Sequence, residues 1–186
     1  MFDIATTRTF QSRPSNAPDA RPWIWPLPRI GDSEPKLRSL SSGVHRYADV
    51  SYEGDPNLRF VPVLATQDGV ITYAGKATTT CMGKTVARYT MCLDHAGGWS
   101  THYGDLEHMF SLSVDRFARR RKQRVRTGDV LGYASTTPLH IFFELWRTDG
   151  EVYAPVDPAE HMNSWLVLPW KPAPIAHVQT ANQVAA

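Results

Sequence analysis

Along the middle of the chain apolar residues recur at every second position, in short runs broken by glycine. A period of two marks half-buried strands. Residues 60–64 form an apolar run, Gln67-Asp68-Gly69 supplies a turn, and residues 70–74 are β-rich. From Thr85 to Asp94, one face carries Val86, Arg88, Thr90 and Cys92, and the other carries Ala87, Tyr89, Met91 and Leu93. His95-Ala96-Gly97-Gly98 then makes a glycine turn into a strand from Trp99 to Tyr103. Residues 130–133 and 139–147 add two more strands, and Thr148-Asp149-Gly150 turns the second into Glu151-Val152-Tyr153. Only residues 112–121 read as a helix, and no segment repeats. The pattern predicts a mainly β, antiparallel fold.

Both ends depart from this pattern. Residues 12–35 hold Pro14, Pro18, Pro22, Pro26, Pro28 and Pro35, which fix φ and remove donors, so the segment is expected to be extended. Trp23 and Trp25 sit among these prolines, which predicts an arm lying on apolar surface. Pro169, Pro172 and Pro174 lead into an Ala/Gln-rich tail of the same character. The expected division is an extended arm over 1–35, a folded domain over 36–165 and an extended tail over 166–186.

Composition narrows the function classes. A chain of 186 residues suits one domain and buries a core without disulfide staples. The net charge of +2 does not by itself imply nucleic-acid binding. The basic run from Arg119 to Arg126 has no interleaved aromatics and reads as a solvated loop, which disfavours a nucleic-acid partner. The apolar runs fall well short of the roughly 20 residues of a membrane span. The N-terminus lacks a basic start, an apolar stretch and a small-residue cleavage site, so the chain is expected to be made in the cytoplasm without a cleaved leader. Cys81 and Cys92 do not form a disulfide framework; Cys92 reads as a small buried hydrophobe, and whether the two pair stays open.

Chemistry concentrates in two places, His45-Arg46-Tyr47-Ala48-Asp49 and Leu139-His140-Ile141-Phe142-Phe143-Glu144. In a strand His140, Phe142 and Glu144 share a face, whereas His102 is expected on the opposite face from Tyr103 and Asp105. With Trp25-Pro26-Leu27-Pro28, Val61-Pro62-Val63-Leu64-Ala65, Asp68-Gly69-Val70-Ile71, the segment from Leu93 to Tyr103, the segment from Val125 to Gly132, and Val156-Asp157-Pro158, these stretches lie in an order that resembles one family. The chain resembles the lysostaphin-like, LytM-type zinc endopeptidases that cleave peptide cross-links in peptidoglycan, over about residues 25–162.

The resemblance implies an antiparallel split barrel or sandwich with a groove across one sheet. It implies metal-ligand positions at His45 and Asp49, with Tyr47 where the family usually has glycine. The third ligand position holds Phe142, which has no lone pair. The two catalytic-histidine positions fall on His140 and Asp105, so one of them has changed to a carboxylate. A histidine with a pKa near 6.5 exchanges protons at neutral pH, whereas an aspartate near 4 is an anion there. Glu144 is an ordinary family feature rather than a replacement ligand. The expectation is a degenerate domain without a cofactor, acting as a peptidoglycan-binding or structural module. Its partners would be stem peptides or protein subunits of a larger assembly, such as a phage tail or secretion particle, or a site at the cell envelope. The rival expectation is an active metallo-endopeptidase with an altered zinc site made from His45, Asp49, Asp105 and His140.

Overall fold

The structure is a computed structural model and describes residues 21–42, 45–52, 58, 61–81, 84–109, 123–136 and 139–170. In chain order its strands are β1 (Arg29–Ile30), β2 (Lys36–Ser42), β3 (His45–Ser51), β4 (Pro62–Leu64), β5 (Gly69–Cys81) and β6 (Lys84–His95). A single 3-10 turn at Ala96–Gly98 follows, then β7 (Trp99–Met109), β8 (Arg124–Val125), β9 (Val130–Thr136), β10 (Leu139–Asp149) and β11 (Val152–Val156). A short helix α1 (Pro158–Met162) and β12 (Pro169–Trp170) close the described chain. The expected helix at 112–121 and residues 119–122 of the basic run lie outside the described residues.

The strands join in the order β2-β3-β10-β9-β7-β6-β5-β8, with β11 beside β10 and β4 beside β9. All these pairings are antiparallel. The fold is therefore the mainly antiparallel β architecture expected, and among the described residues its sheet is sandwich-like rather than a closed barrel. Period-two alternation sets the layers. Ala48, Val50, Tyr103, Ile141, Phe143 and Leu145 are buried in one core with Val61, Val63, Met91, Leu93 and Leu131. The residues between them on β3, β7 and β10 form the opposite, groove-facing side.

Strand β10 is the hinge of the architecture. It pairs with β3 through residues 140–143 and with β11 through residues 145–149. Along its other edge it meets β9 at residues 139–140 and β7 at residues 142–147. Strand β7 thus leaves β10 after Gly104 and continues beside β9 from Leu106. The parting is marked by a bulge opposite β6, where Met91 faces Tyr103 but Tyr89 faces Leu106. Asp105 takes a left-handed φ of 59° there, a conformation that Asp tolerates better than most side chains.

The described part of the N-terminal arm is extended and docked. Ile24 and Leu27 are fully buried, and Ile24 N–H donates to the Thr66 carbonyl at 3.0 Å. Leu166 N–H donates to the Trp23 carbonyl at 3.0 Å, and Trp25 N–H donates to the Leu166 carbonyl at 2.9 Å. Beyond them β1 and β12 pair in parallel, and Tyr52 donates its hydroxyl to the Pro28 carbonyl. Pro22, Pro26 and Pro28 bring no donors, so the N–H groups between them take up these partners.

Several elements escaped the sequence pattern, β8 within the basic run among them. β2 and β3 form a regular hairpin ladder, and α1 is a helix that the reading of a single helix at 112–121 missed. Its local signals were present. Asp157 caps it by accepting the Ala159 N–H at 2.9 Å, and Pro158 opens its first turn.

Candidate functional site

The groove face is assembled by cross-strand register. Phe142 on β10 lies opposite Asp49 on β3 and opposite Gly104 on β7, so the three form one row. A Cβ at Gly104 would stand 3.2 Å from both Cβ and Cδ1 of Phe142, so this glycine makes room for the ring. Tyr47 packs against the same ring, with centroids 4.5 Å apart. The place expected for a third ligand thus carries an aromatic pair. Beside it, Asp49 Oδ1 is buried without a hydrogen-bond partner.

His45 opens β3 four residues before Asp49, and its side chain is outside the described set. The β2–β3 ladder runs from Ser42 opposite His45 to Lys36 opposite Ser51 with no bulge. Four steps of a regular strand span roughly 13 Å, and Tyr47 occupies the middle of that span. Among the described residues no three His, Cys, Asp or Glu side chains converge as a metal-holding group.

The two residues expected at catalytic-histidine positions lie close together. His140 Nε2 lies 3.4 Å from Asp105 Oδ2. The bulge brings Asp105 round to the groove face, and this corrects the expectation for His102. Both His102 and Asp105 face the groove, while Tyr103 alone points into the core. The hydrogen bond with Asp105 raises the His140 pKa; burial opposes it, the charges of Asp49 and Asp105 add to it, and Arg88 works against it. The Asp105 carboxylate thus favours the protonated form of His140.

A second cluster on this face was not anticipated as a unit. His102 lies opposite Glu144, with Nδ1 to Oε2 at 3.1 Å. Trp146 Nε1 donates to the same carboxylate oxygen at 2.8 Å, and the Tyr153 hydroxyl meets His102 Nε2 at 3.2 Å. The His102, Trp146 and Tyr153 rings stack in series at 5.5 and 4.8 Å. Burial disfavours the His102 charge, yet hydrogen bonds to Cys92 and Glu144 outweigh it and lift the pKa to about 9. Cys92 is a free, buried thiol opposite His102 on β6. The sequence signal was the alternation of Glu144 and Trp146 with core residues, but their partners come from three other strands.

The remaining motif residues brace the fold. His95 Nε2 contacts Thr101 Oγ1 at 2.7 Å, and Thr101 donates to the Tyr103 hydroxyl at 3.2 Å. That hydroxyl accepts the Thr66 N–H at 3.0 Å and bonds Thr66 Oγ1 at 2.9 Å. Asp68 accepts from Thr127 N–H and Oγ1 at 2.7 and 2.8 Å, tying the turn before β5 to the turn before β9. His161 lies apart from the groove, against Trp99. The His108 side chain lies outside the described residues.

An antiparallel sheet face with histidine and carboxylate residues on β3, β7 and β10 defines the class. The profile of peptidase family M23 matches residues 52–158, more than half of the chain, and the chain belongs to that family. The LytM-type resemblance is thereby shown. The matched range contains Asp105, His140 and Phe142, while His45 and Asp49 precede it. A comparison with curated proteins gives no match. Among solved structures the chain is similar to a chain of the SpoIIQ–SpoIIIAH pore-forming complex, with 21% identity and a TM-score of 0.43. The similarity covers 62% of this chain and 63% of that one, so it spans less than two thirds of that neighbour.

Proposed function

We propose that this M23 domain has exchanged zinc hydrolysis for binding, and serves as a peptidoglycan-binding or assembly module. The observation that carries this reading is the Tyr47–Phe142 pair, packed at 4.5 Å where the family would place a metal ligand. Zinc needs three lone-pair donors around one point and an open fourth position. Phe142 supplies no donor, and the Tyr47 ring packs against it in that place. The residues present do not fit zinc. His140 stands at the place expected for a family catalytic histidine and pairs with Asp105.

The partners that suit this reading are peptidoglycan stem peptides in the groove, or protein subunits of a particle such as a phage tail or secretion assembly. The proposed place of action is that particle or the cell envelope. The test is zinc analysis of the purified protein together with an assay of fragment release from murein sacculi. The expected result is no stoichiometric zinc and no release, with retention on sacculi or on a subunit. Bound zinc with cleavage abolished by Ala at His45 or Asp49 overturns the proposal in favour of an active, altered endopeptidase. The triple variant Tyr47→Gly, Phe142→His, Asp105→His is expected to gain zinc affinity, read by competition with a chromogenic chelator.

A further inference from the structure

A second concavity lies on the other side of the sheet. Leu145 and Arg147 alternate with the groove-facing Glu144 and Trp146, so they face away from the groove. An open cavity of about 140 Å³ there is lined by Trp23, Trp99, Leu145, His161 and Trp165. It is assembled from distant segments. The Leu166 N–H bond to the Trp23 carbonyl brings the arm beside the residues after α1, and Trp23 stacks on Trp165 with centroids at 4.8 Å. Trp99 leaves the Gly97-Gly98 turn and meets Trp23 edge-on at 6.1 Å. His161 on α1 meets Trp99 edge-on at 5.2 Å. A Cβ at Gly98 would come 2.9 Å from the Thr148 carbonyl oxygen, so this glycine lets the turn seat Trp99 against the end of β10.

The polar character of the three indoles in the wall is one-sided. An indole offers a donor and no acceptor. Trp25 donates to the Met162 carbonyl at 2.9 Å, but among the described residues no acceptor meets the indole N–H of Trp23, Trp99 or Trp165. Buried polar atoms without partners are confined to Asp49 Oδ1 and Thr148 Oγ1 among these residues, so the three indole donors remain accessible. No carboxylate lines the cavity. The Arg147 guanidinium lies 5.1 Å above the Trp99 ring. An organic cation would therefore meet an occupied aromatic face and no counter-charge.

We propose that this cavity binds an apolar carboxylate, with its ring or aliphatic body among the indoles and its carboxylate toward the indole N–H groups and Arg147. The size agrees, since an apolar cavity of about 150 Å³ accepts a benzene ring. Either a free aromatic acid or the C-terminal residue of a peptide presents this chemistry. The proposal is independent of the groove and of its catalytic state.

The test titrates the whole protein with phenylacetate, benzyl alcohol and benzylamine, following tryptophan fluorescence and ligand-observed NMR saturation transfer. Phenylacetate is expected to bind tightest, and Arg147→Gln, at an exposed position, is expected to weaken it about tenfold while leaving benzyl alcohol unchanged. Gly-Gly-Phe with a free carboxylate, compared with its amide, separates the sources. Tighter binding of the free peptide than of phenylacetate assigns a peptide C-terminus, and equal binding assigns a small acid. Equal or tighter binding of benzylamine or benzyl alcohol overturns the proposal, as does the absence of any response to phenylacetate at about 10 mM, well above a millimolar Kd.

Discussion

Replacing Glu144 by Gln is expected to remove part of a pH-dependent contribution to the stability. His102 is largely covered, and both ring nitrogens are engaged, Nδ1 by Glu144 at 3.1 Å and Nε2 by the Tyr153 hydroxyl at 3.2 Å. Its pKa rises from 6.5 to about 9 despite burial, through hydrogen bonds to Cys92 and Glu144 and the charge of Glu144. A folded-state pKa above the unfolded one means that the folded protein holds the proton more tightly. The stabilisation is complete below pH 6.5 and is lost as the pH climbs through 9. At about 1.4 kcal/mol per tenfold, the rise is worth roughly 3 kcal/mol. Glutamine keeps the shape and an acceptor oxygen but removes the charge, while the Cys92 contribution stays, so about 1 kcal/mol should disappear at pH 6. The assay is urea unfolding followed by tryptophan fluorescence, with wild type and Glu144→Gln compared from pH 5.5 to 9.5. His140, also raised by its own carboxylate, is present in both proteins and cancels in the difference. A wild-type advantage that fades between pH 6.5 and 9 is expected. An advantage that stays constant across the range would place Glu144 in packing alone and refute the charge reasoning.

Two further substitutions test the frame around the groove. Tyr103→Phe removes the hydroxyl that accepts from Thr66 N–H and Thr101 Oγ1, leaving a buried donor unmet. It should cost about 2 kcal/mol in chemical denaturation while retaining the far-UV CD spectrum. Asp157→Ala removes the α1 cap and the acceptor for Ser39 Oγ at 3.0 Å. A loss of about 1 kcal/mol is expected, with faster amide exchange at Ala159; unchanged exchange there would deny the cap its role.

The strands that the sequence made visible are those with one face in the core and several apolar residues in alternation. Met91 and Leu93 on β6, and Ile141, Phe143 and Leu145 on β10, show that pattern clearly. β3 offers only Ala48 and Val50 to the core, and β2 lies at the sheet edge, so neither carries enough apolar signal. Helix α1 is five residues long, too short for a helical period to register. Regular alternation also misassigned the relation of His102 to Asp105. The bulge arises because β7 changes partner from β10 to β9, a long-range event absent from the local pattern.

By itself the sequence determined the strand periodicity, the order of the family's motifs and the chemical identity of the altered positions. Phe142 has no lone pair and Asp105 is no imidazole in any fold. Tertiary structure alone decided what fills the altered place, which is the Tyr47 ring against Phe142. It also decided that Asp105 reaches His140, that Glu144 charges His102, and that five side chains from distant segments enclose one cavity. The physical reason is the range of the forces involved. Alternation is set between adjacent residues, whereas register, bulges and shared burial are set by partners many residues away.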